Sequence, residues 1–350
     1  MAKINVGVVT QSKGAHLREY FASLAETPEV ARVAVADESG ECFQTARDIL
    51  KDKLDGEYRS SAKMLAQFKP KLSLVSMEPV KAPPMIDAAL EAGCHVLTEK
   101  PACVRVEDFE PLVRKAEMKH LEVMLALANR PHAPVQEAKR IIGKGLLGKL
   151  YGINMHLVAD QARLTRPDYR DSWRCSKARA GGGHLTWLGI HWLDMAMYVT
   201  GLQVEQVSGF IEVVGGQPID VEGSAAVSIK FNDGVLGTLL SGFYLDKTIK
   251  ENIQRYHSHM KIWGETGWLQ LSTFEDEPLQ WYSTKAQGKP AVQQFKYEKG
   301  QRSYQPFVRE AVRHAAGLGE PPITSREGLY VLQAIYGFYE AAKTGKAQAI

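Results

Sequence analysis

Histidine and tryptophan side chains recur at helical spacing in residues 181–194, directly after three consecutive glycines begin the segment. Four side chains lie three or four residues apart, so an α-helix would place them on one face: His184, Trp187, His191 and Asp194. The glycines would let the backbone approach a ligand or a neighbouring segment closely. The pattern predicts either part of a binding site or a buried helix whose two histidines are hydrogen-bonded in the core.

A second candidate is Glu99-Lys100-Pro101, which follows a short apolar segment typical of a strand, residues 95–98. A lysine at the end of a strand can donate a hydrogen bond to a substrate hydroxyl or carbonyl oxygen, and a neighbouring glutamate can hold it in place. Taken alone, the tripeptide is also typical of a surface ion pair beside a turn proline.

Short β-type segments alternate with helical periodicity through the first 128 residues, which predicts a doubly wound, mostly parallel sheet. The expected strands are residues 4–9, 33–36, 72–76, 95–98 and 123–128. The expected helices are residues 14–25, 41–50, 64–68, 83–92 and 109–119. Ligands of such a sheet bind beyond the carboxyl ends of the strands, where Glu99 and Lys100 would lie.

The second expected strand ends at Asp37, where a dinucleotide-binding domain carries the acid that holds the ribose hydroxyls. The usual glycine-rich phosphate loop after the first strand is mostly absent. Instead the loop offers hydroxyls, an ammonium group and one glycine to a pyrophosphate: Thr10, Ser12, Lys13 and Gly14. We expect NAD rather than NADP, because Asp37 would repel a 2′-phosphate. The alternative is a doubly wound domain whose ligand is not a dinucleotide.

From about residue 148 the apolar periodicity shifts to two, which predicts a second α/β domain with a largely antiparallel, open sheet. The expected strands are residues 151–158, 204–214, 224–231, 235–243, 260–263 and 268–271. Two helices follow, at residues 306–316 and 325–344. We therefore expect a dinucleotide-binding domain at 1–128 and a substrate and oligomerisation domain at 129–350, whose closing helix can pack back on the first domain.

The charged stretch 160–180 lacks periodicity and is expected to be a loop. Trp173 and Arg174 could contact substrate from it, or the loop could be a solvated excursion. On a later predicted strand, His257 and His259 alternate and so face the same side. They could bind a metal or join His184 in a histidine-rich pocket, or face solvent or an oligomer interface at the sheet edge. We assign no metal site.

The composition is that of a globular protein of two domains: 350 residues, 45% hydrophobic and 24% charged, with a net charge of +3. The charges are interspersed, which disfavours a nucleic-acid partner. The four cysteines lack metal-binding or disulfide spacing, and no apolar segment is long enough to span a bilayer. We expect a cytoplasmic protein that does not bind a membrane.

Taken together, these motifs resemble those of the Gfo/Idh/MocA oxidoreductases. The resemblance rests on Glu99-Lys100-Pro101, on Ala-Leu-Ala-Asn129-Arg130, and on G-G-G-x-L-x-x-x-G-x-H-x-x-D in residues 181–194, and it extends over nearly the whole chain. It implies an N-terminal Rossmann domain with NAD(P), a C-terminal α/β domain with an open sheet, and hydride transfer at a carbinol carbon.

By position, the resemblance makes Lys100 and His191 the catalytic residues, adds Glu99 and Asn129 to the expected cofactor contacts, and leaves Asp194 in a structural role. The Lys100–Pro101 peptide is of the kind that can be cis. Trp173 and Trp187 would stack on a sugar ring, beside Arg174 and His184.

The chain departs from the family pattern at three places. Trp187 stands where the family commonly has a catalytic aspartate, Met77-Glu78-Pro79 replaces a Thr-Pro-Asn stretch, and the glycine loop is altered. The leading prediction is an NAD-dependent oxidoreductase of a sugar, glycoside or polyol, forming a homodimer or homotetramer through the C-terminal sheet. One alternative is a glycosidase or lyase that retains its NAD and oxidises the substrate transiently. Another is a non-catalytic sugar- or nucleotide-binding protein.

Overall fold

A computed structural model describes residues 2–246, 256–272, 279–286, 289–293, 295 and 304–350. The chain forms two compact units. The first comprises Met1–Pro131 and Glu298–Leu329, and the second comprises His132–Tyr297 and Tyr330–Ile350. The expected uninterrupted second domain, 129–350, differs from this division. The reason is that the helix after residue 304 packs against the first helix of the chain.

The secondary structure follows the chain in this order. The first part contains β1 (Ile4–Thr10), α1 (Leu17–Glu26), β2 (Val30–Asp37), α2 (Phe43–Leu50), β3 (Leu54–Tyr58), α3 (Ser61–Phe68), β4 (Leu72–Ser76), α4 (Ala82–Glu91), β5 (His95–Thr98), α5 (Glu110–Met118) and β6 (Val123–Leu125). The next part contains α6 (Ala133–Gly143), β7 (Leu150–Asp160), α7 (Ala162–Thr165), α8 (Pro167–Arg170), α9 (Lys177–Ala180), α10 (Ile190–Thr200), β8 (Val204–Glu212), β9 (Ser224–Phe231) and β10 (Leu236–Leu245). The last part contains β11 (Tyr256–Gly264), β12 (Gly267–Leu271), β13 (Leu279–Ser283), β14 (Ala291–Gln293), α11 (Gln305–Ala315), α12 (Ser325–Thr344) and β15 (Gln348–Ala349).

The first unit is built on a six-stranded sheet in the order β3-β2-β1-β4-β5-β6, with every strand pair parallel. This confirms the predicted doubly wound sheet. The edge strand β3 was not predicted, because its sequence Leu-Asp-Gly-Glu-Tyr has neither an apolar run nor clear alternation. The strands β1, β2, β4 and β5 bring their carboxyl ends to one edge, which collects Thr10, Asp37, Ser76 and Glu99.

The second unit is built on a nine-stranded sheet in the order β14-β13-β12-β11-β7-β10-β9-β8-β15. The pair β7 and β10 is parallel and the other pairs are antiparallel, which confirms the mostly antiparallel sheet. Four of the expected strands form two hairpins, β9–β10 across residues 232–235 and β11–β12 across residues 265–266.

Alternate residues give this sheet two different faces. One face is apolar and packs against helices α6 and α10, as the buried Ile153 and Met155 of β7 illustrate. The opposite face, which we call the outer sheet face, carries the half-buried His259 and several exposed apolar side chains of β8, β10 and β11: Phe210, Leu236, Leu240 and Trp263. No helix in the described part of the chain is long and apolar enough to cross a membrane.

Candidate functional site

The loop after β1 packs tightly against the end of β4. The Thr10 hydroxyl donates a 2.8 Å hydrogen bond to the carbonyl of Ser76, and the Ser76 hydroxyl donates one of 2.7 Å to the carbonyl of Ala15. A Cβ on Gly14 would lie 2.9 Å from the Ser76 carbonyl oxygen and would collide with the Thr10 side chain. Thr10 and Gly14 therefore determine the conformation of this loop. The Thr10 hydroxyl donates its proton to the Ser76 carbonyl and not to a ligand.

The start of α1 offers backbone amides to an anion. His16 precedes the helix in a left-handed conformation, with φ of 55°, and no side chain of the described residues caps the first turn. The amides of residues 17–19 are thus the uncapped donors that commonly bind a phosphate. Lys13 is exposed nearby in a left-handed conformation, and the Ser12 hydroxyl contacts the Glu41 carboxylate.

Asp37 ends β2 with a carboxylate that is buried and strongly hydrogen-bonded. Oδ1 accepts bonds from the amide and the hydroxyl of Ser39, and Oδ2 accepts one from the amide of Cys42. Burial opposes its ionisation, but these bonds outweigh burial and hold the pKa of Asp37 below its ordinary value. The Cys42 side chain also hydrogen-bonds this carboxylate. A carboxylate has about four acceptor positions, so a ribose hydroxyl would share one of them with these donors.

Glu99 and Lys100 are both buried at the end of β5, and the Lys100–Pro101 peptide is cis. Glu99 Oε1 lies 4.0 Å from Lys100 Nζ and accepts a hydrogen bond from the Lys100 amide. Oε2 accepts a 2.5 Å hydrogen bond from the Tyr20 hydroxyl. Lys100 therefore lies buried beside this carboxylate and is not part of an exposed ion pair.

Beyond the lysine, the Glu99 carboxylate belongs to a larger network of the first unit. His16 Nδ1 lies 3.1 Å from Glu99 Oε2 and 3.1 Å from the Tyr304 hydroxyl. Burial opposes the ionisation of Glu99, but His16 and Lys100 outweigh it, so the pKa of Glu99 is lowered. Burial and this carboxylate raise the pKa values of Tyr20 and Tyr304 well above the ordinary value. The network therefore keeps Glu99 anionic beside two neutral phenols.

The altered Met77-Glu78-Pro79 segment follows β4 at the same edge of the sheet. Glu78 is buried, and its Oε1 accepts a 2.9 Å hydrogen bond from Gln11 and lies 3.3 Å from the Lys81 ammonium group. The carboxylate thus joins the two loops that follow β1 and β4.

In the second unit, the segment 181–194 contains a wider helical turn than predicted. Gly181 has φ of +81° and ends the short helix α9, and a π-helical turn, Leu185–Gly189, then leads directly into α10. Because a π turn holds more residues than an α turn, it shifts the side chains that follow it around the helix. His184 is fully buried, whereas His191 on α10 is half-buried. The expected shared face is therefore not kept.

Three of the four predicted substrate-binding side chains come together. The rings of Trp173 and Trp187 lie 5.3 Å apart with an angle of 51° between their planes. The Arg174 guanidinium lies 4.6 Å from the centre of the Trp173 ring and 5.9 Å from that of Trp187. Trp173 is buried, and its indole nitrogen has no hydrogen-bond partner in the described part of the chain.

His184, the fourth, lies against β10 instead. Its Nδ1 is 2.6 Å from the Ser241 hydroxyl, and its ring meets the Phe243 ring edge to face at 4.5 Å. The ring of His259 stacks on that of His156 at 5.1 Å, and His156 pairs with Leu240 of β10. Leu240 and Ser241 are adjacent in β10, so their side chains point to opposite faces of the sheet.

The expected histidine-rich pocket is therefore wrong, because the sheet separates His184 from His257 and His259. Among the described residues, no three His, Cys, Asp or Glu side chains come close enough to share a metal ion.

Both units match descriptions of one family. Residues 4–127 match "Oxidoreductase family, NAD-binding Rossmann fold", and residues 135–270 match "GFO/IDH/MocA C-terminal domain". The chain belongs to the Gfo/Idh/MocA oxidoreductase family. The first match indicates a nicotinamide cofactor for this member of the family.

Curated relatives and solved structures agree with this assignment. Levoglucosan dehydrogenase of Pseudarthrobacter phenanthrenivorans is 28% identical over 173 residues, which cover 43% of this chain and 44% of that protein. Myo-inositol 2-dehydrogenase of Thermotoga maritima is 22% identical over 247 residues, which cover 69% and 68%. A levoglucosan dehydrogenase in complex with NADH and L-sorbose has the same fold, with a TM-score of 0.86 at 18% identity, covering 100% and 99%. The chain aligns with less than half of the length of the first curated relatives.

In each unit the structure also shows partners of the candidate residues that the sequence did not reveal. In the first unit they surround Glu99: His16, Tyr20 and Tyr304. In the second unit they surround the glycine turn and His184: Glu222, Ser241 and Tyr339. Of these residues, only His16 could have been found from the sequence, because it lies at the end of the candidate phosphate loop.

Proposed function

We propose that the protein is an NAD-dependent oxidoreductase that transfers a hydride between nicotinamide and a CH–OH carbon of a sugar, glycoside or polyol. The observation that carries the proposal is the buried Lys100, which follows β5 at the ligand edge of the parallel sheet and lies beside the anionic Glu99. The sugar-acting names of the curated relatives support the substrate class.

In this proposal, Lys100 and His191 have different catalytic roles. The Lys100 ammonium group donates a hydrogen bond to the reacting oxygen and stabilises negative charge that develops on it. His191 accepts the hydroxyl proton. Glu99 keeps the lysine in position. A bound NAD would supply the acceptor for the hydride.

The uncapped amides of α1 suit the pyrophosphate of the cofactor, with Ser12, Lys13 and Gly14 in the adjoining loop. Thr10 contributes by shaping that loop. Asn129, half-buried after β6, completes the expected contacts. NAD is favoured over NADP because the ionised Asp37 accepts a ribose hydroxyl and repels a 2′-phosphate.

The substrate would meet the aromatic cluster of the second unit. Trp173 and Trp187 already contact each other and Arg174, so only part of each ring is open for stacking on a sugar. The unpartnered indole N–H of Trp173 supplies a hydrogen-bond donor for a substrate oxygen. His184 lies apart from this cluster, against Ser241 and Phe243 of β10.

The outer sheet face supports a homo-oligomer. Phe210 is 81% exposed and Leu236 is 63% exposed, and a face with several such side chains is typical of an interface. We place the protein in the cytoplasm. In support, no disulfide links the four cysteines, all of which lie in the described part of the chain.

The test is NADH formation on a panel of sugars, glycosides and polyols, followed by absorbance. We expect turnover with NAD, and a loss of kcat of about 100-fold or more in Lys100→Met, since a preorganised donor contributes about that much. The matched control is Lys63→Met, an exposed lysine of α3, which should keep full activity. Release of aglycone without accumulation of NADH would instead identify the NAD-retaining glycosidase. Absence of both reactions would contradict the proposal.

A further inference from the structure

Glu222 is a buried carboxylate that none of the roles above uses. It lies two residues before β9, and its side chain is enclosed by hydrogen-bond donors of the second unit. Oε2 accepts a 2.6 Å bond from the Gly183 amide. Oε1 accepts bonds of 2.8 Å from the Leu185 amide and from the Tyr339 hydroxyl. Both oxygens are therefore engaged with the glycine turn.

The backbone of Glu222 contacts the same turn. Its carbonyl accepts a 3.1 Å hydrogen bond from the His184 amide. A Cβ on Gly183 would collide with this carbonyl, and a Cβ on Gly182 would collide with the Tyr339 hydroxyl. Two of the three glycines are thus required by the close approach of Glu222 and Tyr339, which explains the Gly-Gly-Gly sequence.

The carboxylate occupies the position of a helix cap. The amides of Gly183 and Leu185 lie at the start of the helical stretch that continues through the π turn into α10, and His184 does not cap this start with its own side chain. An acceptor at such a start satisfies amides that would otherwise be orphaned, and a negative charge suits the helix dipole. Glu222 supplies this acceptor from a distant part of the chain.

We propose that Glu222, held by Tyr339, is a positioning residue that fixes the start of this helical stretch and thereby the placement of Trp187 and His191. The proposal rests on the proposed oxidoreductase function for its kinetic readout. Glu222 acts through the helix and does not touch the substrate. Burial raises the pKa of Glu222 although the three hydrogen bonds oppose it, which fits a group held at an energetic cost.

The kinetic test compares three variants. Glu222→Gln puts an amide NH₂ against a backbone donor, so one amide of the turn loses its partner. We expect kcat to fall about 10- to 100-fold, the effect of displacing catalytic groups by about 1 Å, while the affinity for NADH is unchanged. Tyr339→Phe removes one neutral hydrogen bond, and kcat should fall roughly 2- to 10-fold.

Glu29→Gln is the matched control, because Glu29 is a buried, hydrogen-bonded carboxylate of the first unit. It should lower the melting temperature and leave kcat within about twofold. If Glu222→Gln also lowers only the melting temperature, Glu222 is merely structural and the proposal is overturned. If Glu222→Gln fails to fold, an unchanged kcat in Tyr339→Phe overturns the proposal instead.

A second readout does not need activity. In protein labelled with ¹³C at histidine Cε1, the resonance of His191 can be assigned from the His191→Gln variant. We expect it to shift in Glu222→Gln and to stay in place in Glu29→Gln. A shift in a protein without dehydrogenase activity would refute the proposed function and leave the positioning role standing. A resonance that stays in place in Glu222→Gln overturns the positioning role.

Discussion

In the proposed function, Asp37 sets the choice between the two nicotinamide cofactors through its charge. Its carboxylate stays ionised because Ser39 and Cys42 donate hydrogen bonds to it. The neighbouring Arg59 donates to the carbonyls of Glu38 and Ser39 in the same loop, so positive charge is already close by. Loss of the carboxylate charge would therefore leave a site more favourable to a 2′-phosphate.

We expect Asp37→Asn, which keeps an acceptor for Ser39, to lower the preference for NADH over NADPH by roughly 10-fold, as removal of about 1.4 kcal/mol of charge repulsion would. Dissociation constants from nicotinamide fluorescence measure this ratio. Asp55→Asn on β3, an exposed ion pair with Arg32, is the control and should leave the ratio unchanged. If the ratio of the NADH and NADPH dissociation constants is unchanged in Asp37→Asn, another residue determines the choice of cofactor.

The positions of Lys100 and Asp37 at the ends of strands could be predicted from the adjacent sequence. Lys100 and Asp37 each follow an apolar strand, and the end of a parallel strand faces the ligand edge. Glu222 and Tyr304 could not be found in this way. Glu222 reaches its partner Gly183 across 39 positions of the chain, and Tyr304 reaches His16 across 288. Only the folded chain brings such pairs together.

At the scale of elements, the ends of a helix could be predicted better than the face that it buries. The limits of α12, residues 325–344, agree with the prediction. Its buried residues do not follow one stripe, because Leu332 and Ile335 are buried, Val331 and Phe338 are buried as well, and Tyr336 is half-buried. A helix that is covered around most of its circumference has no single apolar stripe for periodicity to detect.

One buried carboxylate connects α11 to the segment that precedes β2 of the first sheet. Glu29, which precedes β2, has a fully buried side chain that accepts hydrogen bonds from Arg309 and Arg313. These bonds, with Arg309 contributing most, lower the pKa of Glu29 from its ordinary 4.5 to about 2. Because the pKa is lower in the folded protein, the stabilisation is present above about pH 4.5 and is lost as the pH falls towards 2.

We predict that Glu29→Gln lowers the free energy of unfolding at pH 7 by about 1–3 kcal/mol, as expected for hydrogen bonds to a charged group. The difference from the wild-type protein should shrink as the pH falls from 4.5 to about 2. Denaturant unfolding at pH 7, 4 and 3 measures it. Glu26→Gln, at an exposed position of α1, should change little at any pH. A difference that stays constant with pH would argue against the ion pairs as its source.

At the scale of the whole chain, the closing helix was expected to be able to pack back on the first domain, but the sequence did not show that the helix after residue 304 belongs to the first unit. The alternation of strands and helices identified the parallel sheet, and the shift to a period of two identified the second sheet. Residues 304–329 carry helical periodicity only, and such a pattern does not say which sheet a helix covers. That assignment comes from specific contacts, such as those of Arg309 with Glu29 and of Ser325 with Glu122.

The outer sheet face carries one continuous row of paired residues across five strands. Strand pairing aligns Phe210, Ala226, Leu240, His156 and His259 in that order. Residues paired directly across strands point to the same side, so this row presents an apolar half and an imidazole half to any partner. A second copy of the chain could pack against such a row. A negative charge in its centre would then be buried without a partner and oppose association.

We predict that Leu240→Glu converts the wild-type oligomer to monomers at micromolar concentration, as measured by light scattering after size-exclusion chromatography. Leu318→Glu is the matched control, because Leu318 has the same 36% exposure but lies in the first unit. It should keep the wild-type mass. Both variants should fold, since each replaced side chain is already exposed to solvent. A Leu240→Glu protein that keeps the oligomeric mass, or a wild-type protein that is monomeric throughout, would show that this face is not the interface.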